Sequence, residues 1–224
     1  MRALVLQHED PTPGGLILDW LEEKDAEVDL HRIDIEDREV DLSEHDAIIS
    51  LGSEFAAYDD SIPWIPKEMD ILRRAMDADV PVLGVCFGGQ LLARTLGARC
   101  WRAEESEIGW LPVRTSDPEV VPEGPWFQWH FDTFETPPGG RLVADSPVGP
   151  QAYTAGRSLG TQFHMEVTPE IMDDWVRVYR HELDEEGVDP EGLLEETHRR
   201  WQHTRASSWT LLDAWLRRAD GNGG

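Results

Sequence analysis

Residues 80–91 read VPVLGVCFGGQL, and the reading of this stretch decides the fold. VPVLGV (80–85) has the length and apolar character of a buried strand, and GGQLLARTLG (88–97) has the spacing of a short helix closed by Gly97. Cys86 stands at the junction. A free cysteine here is either a small core residue or a nucleophile held on a tight strand-to-helix turn, where helix N–H groups and the dipole favour thiolate. Gly84 and Gly88 flank it symmetrically, which a packed cysteine does not need and a crowded elbow does.

Outward from the elbow, the N-terminal side alternates strand and helix. RALVLQH (2–8), VDLHRI (28–33) and HDAIIS (45–50) read as strands, and GLILDWLEEKDA (15–26) and WIPKEMDILRRAMDA (64–78) as helices. Short connections and branched apolar runs predict an α/β fold, a central mostly parallel sheet flanked by helices. Ligands of such sheets sit at the carboxyl ends of strands, where Cys86 and Gly52 both fall. On the C-terminal side the pattern changes to strand-like pieces, ARCWRA, GWLPVRT, WFQWHF, RLVADS, QAYTAG and LGTQFHMEV, read as added antiparallel strands. A helical segment follows, in three pieces: TPEIMDDWVRVYRHELDEEG, PEGLLEETHRRWQHT and ASSWTLLDAWLRRAD. Thr168 is the expected N-cap and Pro169 the first helical residue. Trp175, Trp201, Trp209 and Trp215 lie at helical spacing there and are expected in the core. The 224 residues are read as one domain: an α/β core over 1–168, a helical extension over 169–219 and a flexible tail over 220–224.

Composition narrows the function. The chain carries 45 acidic residues against 20 basic ones, a formal charge of −25, and its only lysines are Lys24 and Lys67. That field repels phosphate backbones and anionic lipid surfaces, so neither nucleic acid nor membrane is an expected partner. No apolar run approaches the roughly 20 residues of a membrane span. The opening MRALVLQHED is too short for a signal h-region, and Cys86 and Cys100 form no disulfide framework. A reduced, cytoplasmic setting is expected.

A nucleophilic cysteine needs a base that a third group orients. TQFHMEVTPE offers both, because in a strand His164 and Glu166 share one face. The competing reading is a metal half-site completed by His130 and Asp132 in WHFDTF, although nothing else shows ligand spacing and no metal or cofactor is expected. Cys100, in GARCWRA, lacks an elbow and reads as structural.

GVCFGGQ (84–90) followed by QFHMEVTP (162–169) resembles the class I glutamine amidotransferases, and among them the stand-alone proteins similar to the amidotransferase domain of GMP synthase. The resemblance extends to VLQHEDPTPGG, LGSEFAAYDD, EIGWLPV, WHFDTF and the helical tail. It implies a flavodoxin-like sheet and a Cys86–His164–Glu166 triad. It also implies an oxyanion hole from the Gly52–Ser53 loop and the Phe87 N–H, and contacts to substrate from Gln90, His130 and Asp132. Where the family has Gly-Gly-Pro, this chain has Gly52-Ser53-Glu54, a departure that bears on the loop's geometry. The activity implied is hydrolysis of the glutamine side-chain amide through a cysteinyl thioester, with ammonia passing to a separate synthetase or ligase. Two alternatives stay open: a self-sufficient γ-glutamyl peptidase, and a catalytically silent scaffold in which the altered loop has lost its function.

Overall fold

The computed structural model describes residues 1–219, so the tail expected at 220–224 lies outside the described residues. The first half runs β1 (Arg2–Gln7), α1 (Gly15–Glu23), β2 (Glu27–Arg32), β3 (Ala47–Ser50), α2 (Ile65–Asp77), β4 (Val82–Val85) and α3 (Phe87–Thr95). Then come β5 (Cys100–Leu111), β6 (Arg114–Thr115), β7 (Trp126–Phe134), β8 (Arg141–Asp145), β9 (Pro150–Ala155) and β10 (Ser158–Thr161). Three helices follow, α4 (Pro169–Val178), α5 (Arg180–Glu186) and α6 (Pro190–Ala219).

Eight strands form one sheet in the order β2-β1-β3-β4-β10-β9-β8-β6. The five from β2 to β10 are parallel, and β9, β8 and β6 continue the sheet antiparallel. Alternation along each strand feeds two cores. Ala3, Val5, Ile49 and Leu83 pack with Ile17 and Trp20 of α1 and Leu211 and Trp215 of α6. Leu4, Leu6, Ile48 and Val82 pack on the other face with Leu72 of α2 and Leu91 of α3. The expected α/β architecture is therefore present, with a helical C-terminal segment added to it.

Strand β5 pairs antiparallel with β7 in a separate two-stranded sheet. The third apolar cluster, with Trp110, Phe127 and Trp129 from these strands, is closed by Trp175, Tyr179, Leu183 and Leu193 of the C-terminal helices. Buried Trp175 and Trp215 are core residues as expected, whereas Trp201 and Trp209 are only half-buried.

Three expectations are corrected. The pieces ARCWRA and GWLPVRT belong largely to one strand, β5, whose pairing slips between Arg102 and Glu107. Residues 168–187 form two helices rather than one, because Tyr179 leaves the helical region at φ −102° and ψ 26°. The last two helical pieces are one helix of 30 residues. In its polar middle the Thr204 hydroxyl donates to the Arg200 carbonyl one turn back, and the Ser208 hydroxyl ties the helix to the Met165 carbonyl. Among the described residues no helix is long and apolar enough to cross a membrane.

Candidate active site

Four parallel strands end at one cleft. His8 and Glu9 follow β1, Gly52 follows β3, Cys86 follows β4, and His164 lies three residues beyond β10. The elbow is tight. Cys86 holds φ +50° and ψ −107°, a conformation that costs an ordinary residue about 1–3 kcal/mol. Helix α3 then lies directly on the sheet. A Cβ on Gly84 would meet the Gly88 carbonyl oxygen at 2.5 Å, and one on Gly88 would meet the Ser50 carbonyl oxygen at 2.2 Å. The two flanking glycines are thus demanded by close approach. The Cys86 N–H donates to the Thr161 carbonyl (2.8 Å) and the Gly88 N–H to that of Leu51 (3.1 Å). Among the described residues no hydrogen bond engages the N–H of Phe87 or of Ser53.

Only 5% of Cys86 is exposed, and what is exposed lines the cleft. The Gln162 amide points its Nε2 at the sulfur, 3.6 Å away, and its Oε1 accepts from Gln90 at 3.1 Å. His164 also lines the cleft, its Nδ1 2.6 Å from Glu166 Oε1 and its Nε2 without a hydrogen-bond partner. Burial disfavours charge on this imidazole, but the Glu166 carboxylate and the neighbouring Cys86 outweigh it and push its pKa up to about 10. Trp175 meets the ring edge-on at 4.9 Å. The pair does not sit in a strand as the sequence suggests. β10 ends at Thr161, and His164 makes a lone bridge to Phe127 through its N–H (2.8 Å). The irregular backbone brings imidazole and carboxylate together all the same.

The Gly52 loop faces the same cleft, through Ser53 and Glu54. A Cβ on Gly52 would lie 3.1 Å from His164 Cε1, so the missing side chain lets the imidazole close against the loop. Glu54 donates its N–H to Glu9 Oε1 (2.8 Å), and Ser53 donates its hydroxyl to Glu9 Oε2 (3.3 Å).

The three residues expected to touch substrate differ. Gln90 lines the cleft but is buried, with its amide engaged by Gln162. Both nitrogens of His130 face protein partners, Nδ1 the Asp132 carbonyl and Nε2 the Glu107 carboxylate, each at 3.0 Å. Nε2 lies buried beside that carboxylate without forming a hydrogen bond to it. Asp132 is half-buried and accepts from the Tyr58 hydroxyl (3.1 Å), leaving carboxylate lone pairs open. Burial raises its pKa, against the pull of Tyr58 and the nearby Arg102 guanidinium. Arg102, stacked 4.5 Å from the Phe131 ring, also lines the cleft. Among the described residues no three His, Cys, Asp or Glu side chains group as a metal would need. Cys100 donates its thiol to the Gln90 carbonyl of α3 (3.2 Å), and burial pushes that thiol up to about 12.

His8, Glu68, Gln162, Tyr58 and Arg102 were not read from the sequence as site residues. Three of them stood in stretches already singled out, His8 in VLQHEDPTPGG, Tyr58 in LGSEFAAYDD and Gln162 two residues before His164.

Comparison with known proteins gives the chain's family and fold. The model of the family "Glutamine amidotransferase class-I" matches residues 15–176. Similar sequences include GMP synthase [glutamine-hydrolyzing] of Alkaliphilus metalliredigens, 31% identical over 58% of this chain and 26% of that protein. The GMP synthase of Thermus thermophilus is 35% identical over 62% of this chain and 30% of that protein. The chain thus spans about a quarter to a third of the length of these relatives. A glutamine amidotransferase of Thermotoga maritima superposes with a TM-score of 0.88 at 30% identity, over 96% of this chain and 98% of that one. A glutamine amidotransferase of Methylobacillus flagellatus, at 24% identity and a TM-score of 0.89, shares the fold. The chain belongs to the class I glutamine amidotransferases and is GMP synthase-like.

Proposed function

We propose that the protein is a glutaminase that releases ammonia from the side-chain amide of glutamine for a separate acceptor-activating synthetase. The observation that carries this reading is the convergence of a strained cysteine, an open histidine nitrogen and a carboxylate at the carboxyl ends of one parallel sheet. Asp132 and Arg102 support an amino-acid substrate, since they offer opposite charges to an α-ammonium and an α-carboxylate.

In this mechanism Cys86 attacks as thiolate, with its proton held on His164 Nε2. Glu166 fixes the tautomer and stabilises the imidazolium. A new S–C bond forms at the side-chain carbonyl carbon, and the negative oxygen is received by the free N–H groups of Ser53 and Phe87. The oxygen's electrons then return, the C–N bond breaks, and the His164 proton leaves with the nitrogen as ammonia. His164 next deprotonates water, which attacks the γ-glutamyl thioester. Collapse of that intermediate releases glutamate and restores the thiolate. A backbone N–H serves whatever side chain follows it, so Ser53 in place of a second glycine is compatible with the chemistry.

The test is ammonia release from glutamine by the full chain and by Cys86→Ala. The wild type is expected to turn over, and the variant to lose at least about 10⁴-fold in kcat while remaining folded. Cleavage of γ-glutamyl peptides far faster than of glutamine would favour a self-sufficient γ-glutamyl hydrolase instead. Equal rates in wild type and variant would refute the reading.

A further inference from the structure

Behind the Gly52–Ser53 loop lies a buried polar chain that the mechanism above does not use. His8 has a fully buried side chain and sends Nδ1 to the Gly52 carbonyl oxygen (3.0 Å) and Nε2 to Glu68 Oε2 (2.7 Å). Glu68, equally buried, accepts from the Ser50 hydroxyl on its other oxygen (2.6 Å). The His8 ring stacks on Trp64 at 4.9 Å and meets the edge of Phe87 at 4.8 Å. His8 therefore touches the carbonyl of the Gly52–Ser53 peptide, whose N–H is one oxyanion donor in the proposed mechanism, and the side chain of Phe87, whose N–H is the other.

We infer that His8, held by Glu68 and Ser50, is a positioning residue that sets the oxyanion hole by fixing the orientation of the Gly52–Ser53 peptide. This inference rests on the proposed glutaminase reading and adds a device specific to this loop. In a trans peptide the C=O and the following N–H point in opposite directions. This bond is trans, the one cis bond among the described residues being Gly124–Pro125. Drawing the Gly52 carbonyl inward to His8 therefore turns the Ser53 N–H outward.

Both partners of the ring are acceptors, so an imidazole that donates at both nitrogens satisfies them together. Burial works against that charge, while Glu68 outweighs burial and raises the His8 pKa. Among the described residues His8 is the one donor to the Gly52 carbonyl, and the loop has Glu54 where the family resemblance leads to a proline, so no ring restrains the peptide in its place. Glu9 holds the next link from outside, through the Glu54 N–H.

The test compares the wild type with His8→Phe/Glu68→Leu, which keeps the aromatic packing on Trp64 and Phe87 and leaves no buried charge unpaired. Displacing one oxyanion donor is expected to lower kcat for glutamine about 10- to 100-fold with KM unchanged, since losing a donor outright costs about 10²- to 10³-fold. Affinity for a γ-aldehyde analogue of glutamine, which forms the tetrahedral adduct, should fall by the same factor, and glutamate binding should not change. A crystal structure of the variant should show the Gly52 carbonyl turned from its present direction. His8→Asn, whose amide can still donate to Gly52, should recover most of kcat, and it serves as the comparison if the double variant fails to fold.

An unchanged kcat with the carbonyl still inward would overturn the inference, as would a loss confined to KM and thermal stability. So would a His8→Asn enzyme as impaired as the double variant. If the wild type does not hydrolyse glutamine, the glutaminase reading fails separately, and the carbonyl direction in the variant still decides whether His8 sets this peptide.

Discussion

Two buried histidine–carboxylate pairs meet at Gly52, and they differ in one nitrogen. His164 lies 2.6 Å from Glu166 and leaves Nε2 unpartnered beside the cleft, whereas His8 lies 2.7 Å from Glu68 and spends its other nitrogen on a backbone carbonyl. The chemistry of the pairs is the same; their second contacts are not. An open nitrogen can take and give a proton, and a closed one can only hold a neighbour in place. Burial alone does not separate the two, since His164 is 4% exposed and His8 is 1% exposed.

The contrast breaks if the matching carboxylates respond alike. Glu166→Gln removes the charge that supports the His164 imidazolium and should lower kcat by about 10⁴-fold, in line with the orienting carboxylate of a triad. Glu68→Gln still accepts from Ser50 and lets a neutral His8 donate to Gly52, so kcat should fall by no more than about 3-fold. Equal losses would mean that the second pair also moves protons.

A smaller effect sharpens the same contrast. The Cys86 sulfur is among the groups that raise His164, so Cys86→Ala should lower the His164 titration from about 10 when followed by NMR of the ring, and His8 should stay put. With its pKa raised above the ordinary 6.5, His164 contributes stability that is fully present below that value and is lost as pH rises through about 10. That contribution should be reduced in Cys86→Ala. The smallest effect concerns the elbow itself. At φ +50° glycine is easier to accommodate than alanine, so Cys86→Gly should be about 1 kcal/mol more stable than Cys86→Ala by denaturant unfolding.

The parallel half of the fold was legible because its strands are short, buried on both faces and separated by helices of clear period, as Ile48–Ile49 and Leu83 illustrate. The elbow was legible because close approach of helix to sheet excludes a Cβ at Gly84 and Gly88. What escaped reading depends on contacts between segments distant in sequence. The halves of β5 could not be joined, because the exposed Glu104 and Glu105 interrupt its alternation where the pairing slips. The tie between the last helix and the segment after β10 runs from the Ser208 hydroxyl to the Met165 carbonyl, 43 residues away. His8 and Glu68 stand 60 residues apart, and nothing in either stretch points to the other. His130 stands out by its motif, but its neighbour Glu107, opposite it on β5, lies 23 residues earlier in a stretch with no such signal.

The most direct test of the proposed chemistry is to mix the full chain with glutamine, quench in acid and map the modified peptide by mass spectrometry. The account predicts one glutamyl group on Cys86, an unmodified Cys100, and one ammonia per glutamate in the steady state. Turnover of glutamine with Cys86 unmodified under conditions that trap thioesters, and undiminished in Cys86→Ala, would contradict it.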